Sequence, residues 1–354
     1  VVAVTGVDDR ATVLVAVPAA LRAEFFTAGA VDRLAAAAAS LGGELAWLEG
    51  IEGFERAPAL AGAGPAAATW PRARVLVTSW GQPPLDAALL DRLPVLELVA
   101  HTGASVRPFV TPACAERGVA VTQAGQGMAR SVAEVALAFT LALLHQVPRF
   151  DHALHAGAVW ADAEAAPPRR EVLGATIGVV GASRTGRAHI GLLRALGAEI
   201  LVSDPFLTPE DAAALGVERV ALDALLTRSC VVALHAPSLP ETHHLIDARR
   251  LALLPDGAGL VNTARSWLVD EAALLAELRT GRIDAALDVF DDEPLPVDHP
   301  LRTLPNVLLT PHHAAGTVQG RLRQGGIVVD EVERHVRGAA LRHEVTTADL
   351  GRMA

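Results

Sequence analysis

Three side chains of complementary chemistry follow three apolar runs in the C-terminal half of the chain. Arg265 comes just after residues 259–262, Glu293 lies in Phe290-Asp291-Asp292-Glu293-Pro294 after 283–289, and His312 follows 307–310. Short runs rich in Val, Ile and Leu predict strands, and in open α/β sheets ligands bind outside the strands' carboxyl ends. Together the three types can move a hydride and a proton on a hydroxy acid. A planar guanidinium holds a carboxylate and polarises a C2 carbonyl, a task Lys performs less well. An imidazole takes the hydroxyl proton in oxidation, or returns it in reduction. A carboxylate on the imidazole's other nitrogen fixes its tautomer. Taken singly, the same residues read as a surface ion pair between Arg265 and Glu293 and a histidine capping the last helix. Their common place at strand ends favours chemistry.

Such groups need a scaffold, and residues 174–204 supply its centre. An apolar run (177–180) ends at Gly181, a second glycine stands at Gly186, and a helical pattern carries Ile190, Leu192, Leu193 and Leu196. A further apolar run, 200–202, closes on Asp204, 23 residues after Gly181. Strand, tight turn, helix, strand and terminal acid form a dinucleotide-binding βαβ unit, its pyrophosphate on the helix N-terminus. Ser183 replaces the middle glycine, which either loosens backbone approach to the pyrophosphate or adds a hydroxyl to it. Asp204 is placed to take both adenosine ribose hydroxyls and to repel a 2′-phosphate, which favours NAD over NADP; Arg184 in the turn pulls the other way.

Composition narrows the rest. The chain has 354 residues, enough for two domains, and a net charge of −10 that argues against nucleic acid and anionic membrane as partners. Its longest apolar stretch, 132–144, contains Glu134 and falls short of the ~20 residues a membrane span requires. No export signal is visible, so the cytoplasm is the expected compartment. Cys114 and Cys230 read as buried small apolar residues, and His152 and His155 as solvated, so no metal site is expected. All thirty basic residues are Arg, and Tyr is absent. That excludes Tyr-x-x-x-Lys proton transfer, Schiff-base chemistry and a Walker-type phosphate loop.

In chain order, strands are expected at 12–16, 45–48, 75–78, 96–100 and 119–122, with a helix over 29–41 and another over 85–93. Residues 53–72 read as a loop with a short helix. After the fourth strand, His101-Thr102-Gly103-Ala104-Ser105-Val106 is either an ordinary tight turn or a nest of N–H groups for an anion. A buried helix is expected over 128–145, then an irregular linker over 149–170. Helices at 209–215, 248–254, 271–280 and 318–336 alternate with strands at 231–235, 259–262, 283–289 and 307–310. Alternation this regular predicts an α/β fold of two Rossmann-like, doubly wound parallel-sheet domains.

Several ordered stretches carry a resemblance. Val261-Asn262-Thr263-Ala264-Arg265, Ala286-Leu287-Asp288-Val289-Phe290-Asp291-Asp292-Glu293-Pro294 and Leu309-Thr310-Pro311-His312 resemble the signature segments of the D-isomer-specific 2-hydroxyacid dehydrogenases. Leu234-His235-Ala236-Pro237 with Glu241-Thr242, and Val132-Ala133-Glu134, resemble further segments of that family, so the likeness covers nearly the whole chain. It implies the bilobed architecture of formate and glycerate dehydrogenases. A discontinuous substrate-binding domain (1–102 and 316–354) would flank an NAD-binding domain (103–315). The resemblance also implies catalytic roles for Arg265, Glu293 and His312. It implies cofactor contacts from Gly181, Ser183, Arg184, Thr185, Gly186, Asp204, His235, Ala236, Pro237, Thr242, Thr263, Ala264, Asp288, His312 and Ala314. Substrate would meet Gly103, Ala104, Ser105, Arg265 and His312, and a homodimer joined through the cofactor lobe is expected.

The chain departs from that family's pattern at Ser183, Ser105, Arg107, Ser266-Trp267 and His313. The indole of Trp267 would narrow the pocket or pack on a dimer partner. The reading is an NAD-dependent D-2-hydroxyacid dehydrogenase, working as a 2-oxoacid reductase of the glyoxylate or hydroxypyruvate kind. Its rivals are an NAD(H)-sensing, corepressor-like binding protein, disfavoured because no low-complexity arm is seen, and a formate or phosphite dehydrogenase.

Overall fold

Short runs of Val, Leu, Ile and Ala, each flanked by glycine or polar turns, build two parallel sheets. The computed structural model describes residues 10–48 and 70–350, so most of the expected 53–72 loop lies outside the described residues. The chain divides into two units, residues 1–128 with 317–354, and residues 129–316.

The first unit holds β1 (Ala11–Ala16), β2 (Glu44–Trp47), β3 (Val75–Thr78), β4 (Leu98–His101) and β5 (Ala120–Gln123), all parallel in the order β2-β1-β3-β4-β5. Alternate residues feed opposite cores: Leu14, Leu76 and Val99 on one face, Val13, Val15, Val75 and Val77 on the other. Helices Ala28–Ser40 and Val318–Val336 cover the second face through Leu34, Val328, Val329 and Val332. That packing returns the C-terminal segment to the first sheet. The expected domain break after residue 102 is corrected to 128/129, because β5 pairs with β4 in register from Leu98↔Ala120 to His101↔Gln123.

The second unit holds β6 (Thr176–Val180), β7 (Glu199–Ser203), β8 (Glu218–Arg219), β9 (Val231–Leu234), β10 (Gly259–Asn262), β11 (Asp284–Leu287) and β12 (Val307–Leu309). All pairings are parallel, in the order β12-β11-β10-β9-β6-β7-β8. Strand order reverses between β6 and β9, and a doubly wound sheet opens its ligand crevice at that switch point. Both faces are apolar, as a parallel sheet under helices requires: Val180, Leu201 and Val232 point one way, Val179, Val202 and Val231 the other.

Helix Gly125–Leu144 is long and apolar enough, by length and hydropathy, to cross a membrane, which corrects the shorter stretch read from sequence. Here it is a core helix, with Ala136, Phe139, Leu143 and Leu144 packed beside Val179 and Val231. The expected linker over 149–170 is also corrected. It contains helices Val147–His155 and Trp160–Ala163, the first with proline in its opening turn. Arg149 fixes that helix to the sheet through a 2.6 Å ion pair with buried Asp284, which Gln146 also meets at 2.8 Å. Cys230 is half-buried rather than buried, its thiol pushed up by desolvation.

Candidate active site

At the switch point, backbone geometry explains both glycines. Gly181 has φ +96°, and a Cβ there would stand 2.7 Å from the Ala236 amide nitrogen on the loop after β9. A Cβ at Gly186 would stand 2.1 Å from the Gly181 carbonyl oxygen, so helix and strand could not close. Ser183, at φ −63°, needs no glycine; its hydroxyl caps helix Arg184–Ala195 by accepting from Gly186 N at 3.2 Å. The N–H groups of Arg184 and Thr185, in the first turn of that helix, have no carbonyl within it to donate to. Arg184 itself is exposed and Thr185 half-buried.

Asp204 ends this βαβ segment. Its carboxylate accepts from Ala182 N and Phe206 N, both at 2.7 Å, which orients it over the turn. A carboxylate has about four acceptor positions, so two remain for hydroxyl donors. His235 is buried and turns its ring to His189, with His189 Nδ1 and His235 Nε2 3.0 Å apart, so that contact occupies its Nε2. Thr242 spends its hydroxyl on the same loop, donating to the Pro237 carbonyl and accepting from Leu239 N. Thr263, just past β10, differs: its Oγ1 is buried and, among the described residues, without a partner. An orphaned hydroxyl beside a glycine cradle, with an oriented acid at the next strand end, fits a bound dinucleotide.

The three reactive side chains all lie in the second unit. Glu293 Oε2 and His312 Nδ1 are 2.6 Å apart, and Phe290 N donates to Oε1 at 3.0 Å. The carboxylate is thus braced before it orients the ring. Bonded this way Nδ1 carries the proton, and Nε2 is the nitrogen left for other work. His312 has φ +50°, an uncommon conformation that His, Asn and Asp tolerate better than most residues. Asp288 explains how it is held: buried, it accepts from the Thr310 hydroxyl and from the N–H groups of His313 and Ala314. Those bonds clamp the segment on both sides of His312.

Arg265 is half-buried, and desolvation lowers its pKa while the nearby Glu293 charge raises it. Among the described residues no ion pair joins it to Glu293, and Thr317, not His312, caps the last helix by accepting from Gly320 N. The surface-pair and cap alternatives are therefore not what the fold builds. Asn262 braces the arginine segment from both ends, donating to the Arg265 carbonyl at 2.9 Å and accepting from Ala264 N at 3.0 Å. Trp267 donates its indole N–H to the Leu239 carbonyl at 2.8 Å and packs on His243, tying the arginine segment to the loop after β9. The imidazole of His313 folds over Gly316, where a Cβ would meet its Nε2. Phe290, Glu293, Leu295, Leu309, Pro311 and His312 line a largely apolar cavity of about 620 Å³.

In the first unit, Gly103 sits where a Cβ would stand 2.6 Å from His101 Nε2 and 3.2 Å from Trp80 Nε1. Among the described residues, the N–H groups of Gly103, Ala104 and Ser105 donate to no backbone carbonyl. Asn262, His189 and the clamping role of Asp288 were not expected as site features. Asn262 stood in view immediately before Thr263-Ala264-Arg265; His189 carried no local signal.

Residues 137–314 match the family model described as D-isomer specific 2-hydroxyacid dehydrogenase, NAD binding domain. The chain belongs to that family. NAD is accordingly its cofactor, and the matched segment falls within the second unit. A D-3-phosphoglycerate dehydrogenase of Mycobacterium leprae is 35% identical over 308 residues, covering 87% of this chain and 56% of its own. A (S)-sulfolactate dehydrogenase of Chromohalobacter salexigens is 37% identical over 257 residues, 71% of this chain and 81% of its own. The crystal structure of the TT0316 protein from Thermus thermophilus aligns with TM-score 0.74 and 29% identity over 94% of this chain and 99% of its own. The chain spans about half the length of the phosphoglycerate dehydrogenases it matches.

Proposed function

We propose that this chain is an NAD-dependent reductase of small 2-oxo acids that also oxidises the matching D-2-hydroxy acids. The single observation carrying the reading is the 2.6 Å His312–Glu293 bond, in the unit that holds the dinucleotide turn and Arg265. Bound NAD(H) supplies the hydride acceptor or donor. Arg265 binds the substrate and polarises its C2 carbonyl through fixed N–H groups. His312 donates a proton from Nε2 to the carbonyl oxygen in reduction and takes it back in oxidation. Glu293 keeps Nδ1 as the donor, so the reactive nitrogen is always the outer one. The N–H groups of Gly103, Ala104 and Ser105 receive the substrate carboxylate, making the first unit the substrate-binding one. On the cofactor, Ser183, Arg184 and Thr185 face the pyrophosphate, Asp204 the ribose, and the 235–237 loop, Thr242, Thr263, Ala264, Asp288 and Ala314 the remainder.

Glyoxylate and hydroxypyruvate are the expected substrates. A second reading, a substrate with another anionic group, is favoured by relatives named for 3-phosphoglycerate and sulfolactate. The test is NADH oxidation against a panel of 2-oxo acids, with formate and phosphite tried as reductants of NAD. At least one 2-oxo acid should turn over, with kcat/KM for NADH at least about tenfold above that for NADPH, since Asp204 repels a 2′-phosphate. Binding of NADH without turnover of any substrate would leave the sensing protein as the answer.

A homodimer forms part of the proposal. Val147, Leu154 and Trp160 lie exposed on two successive helices of the second unit, and Val159 immediately before the second, with Trp160 71% accessible. Apolar side chains so clustered mark an association surface. Sedimentation should give a dimer, and Trp160→Asp should shift it toward monomer by placing a charge in the contact. A monomeric parent chain would end this part of the reading.

A further inference from the structure

Trp267 departs from the family pattern and has no task in the scheme above. Its indole is 43% exposed, yet both its N–H and its ring are engaged within the second unit. Strands β9 and β10 pair as far as Leu234↔Asn262 and then part. The two chains meet again where His244 N donates to the Trp267 carbonyl and Ile246 N to the Leu268 carbonyl, each at 2.9 Å. Between those points lies an opening with arms of unequal length. Arg265 is on the short arm, and the long arm, residues 235–243, packs on the dinucleotide turn at Ala236.

The indole spans that opening. Its N–H donates at 2.8 Å to the carbonyl of Leu239, in the middle of the long arm. Leu239 is itself fixed, because its N–H donates to the Thr242 hydroxyl at 2.8 Å. The ring lies 4.1 Å from that of His243, which in turn stacks on His244 at 3.9 Å. Among the described residues no backbone bond crosses the opening. Without the indole the short arm is tied only at its ends, by Asn262 at one and by the bond from His244 N at the other. An indole placed only to narrow a pocket or meet a partner would leave its N–H to water. This one spends it on the loop that touches the dinucleotide turn.

We propose that Trp267 is a positioning residue: it holds the Arg265 arm against the cofactor loop, so that the guanidinium is set relative to the dinucleotide and not only to its own strand. A misplacement of ~1 Å in a reacting complex can cost about 10²-fold in rate, so one bond across the opening is enough to matter. Substrate and cofactor then help each other to bind, since each orders one arm of a joined pair. This rests on the 2-oxoacid reading above and adds to it a residue that the family pattern does not supply.

The test uses the full chain with Trp267→Ala and Trp267→Phe. For whichever 2-oxo acid the parent reduces best, Trp267→Ala should raise KM about tenfold or more, with the dissociation constant for NADH alone within a few-fold of the parent value. Trp267→Phe, which keeps a ring on His243 and loses the N–H, should fall between. A readout free of turnover uses oxalate, which mimics a 2-oxo acid and cannot be reduced. Saturating oxalate should tighten NADH, followed by its fluorescence, about fivefold or more in the parent and not measurably in Trp267→Ala. An unchanged KM, or binding of NADH alone that weakens as much as KM rises, overturns the proposal in favour of a structural stack. So does a shift of Trp267→Ala to monomer in sedimentation, which would make the indole a partner contact. If no 2-oxo acid is reduced but the oxalate effect depends on Trp267, the reaction is wrong and the positioning role stands. A parent in which oxalate and NADH bind independently sinks the proposal.

Discussion

His312→Asn should lower kcat by about 10³-fold or more, with the dissociation constant for NADH within a few-fold of the parent value. Asn is the informative replacement because position 312 has φ +50°, which Asn tolerates and Ala does not. Loss of activity then reports loss of the imidazole rather than a rebuilt turn. The substitution removes the proton relay and frees Glu293 Oε2, but Phe290 N still holds Oε1, and the carboxylate is accessible enough for water to replace the ring. The fold should therefore survive. The turn at Gly181 and the carboxylate of Asp204 are untouched, so NADH, followed by its fluorescence, should still bind. Turnover near the parent rate would refute the assignment of His312 as acid and base.

Much of this was legible because the relevant signals are local. Each short apolar run read as a strand became one, since a strand buried on both faces needs no alternation to be seen. β8 escaped because Glu218 and Arg219 are exposed and polar, with no apolar run to mark them. The domain break was misplaced because pairing of β5 with β4 is a tertiary choice that neither strand announces. Helix Val147–His155 was hidden by its polar face and histidines, although its proline is an ordinary helix opener.

The site divides the same way. Arg265, Glu293 and His312 could be found as types at strand ends, and chemistry alone paired the last two. No local pattern could reveal that Ser183 caps its own helix instead of loosening the turn, since glycine at 181 had already met the backbone requirement. The His189–His235 and Trp267–Leu239 bonds join residues 46 and 28 apart in the chain.

Stability should fall steeply as the solution is acidified below about pH 6.5, the ordinary histidine value, and three buried rings are the reason. Desolvation lowers His101 to about 3 and His189 to about 4, and drives His235 well down, with the charge on His189 adding to that last shift. Each folded value lies below the unfolded one, so the unfolded chain takes up protons first. The contribution is complete above the unfolded value and declines until the folded value is reached. At 1.36 kcal/mol per unit, His101 alone accounts for roughly 5 kcal/mol across that window and His189 for roughly 3. Those sums rival the ~5–15 kcal/mol that hold a typical domain together. His101 acts on the first unit, where Thr78 Oγ1 meets its Nδ1 at 2.9 Å, and the other two act on the second. Two protonated rings cannot remain 3.0 Å apart, so the His189–His235 pair must open to carry both charges. Because a Cβ at Gly181 would sit 2.8 Å from the His235 carbonyl carbon, opening it loosens the dinucleotide turn as well. NADH affinity should therefore weaken over the same range as urea stability. Urea melts between pH 8 and 4.5 should be level above about pH 6.5 and below it approach a slope near 1.4 kcal/mol per pH unit for each ring involved. His189→Gln, which cannot titrate, should flatten the slope in the second unit. Constant stability over that range would mean that these rings are solvated, and that the packing around the dinucleotide turn is not as close as described.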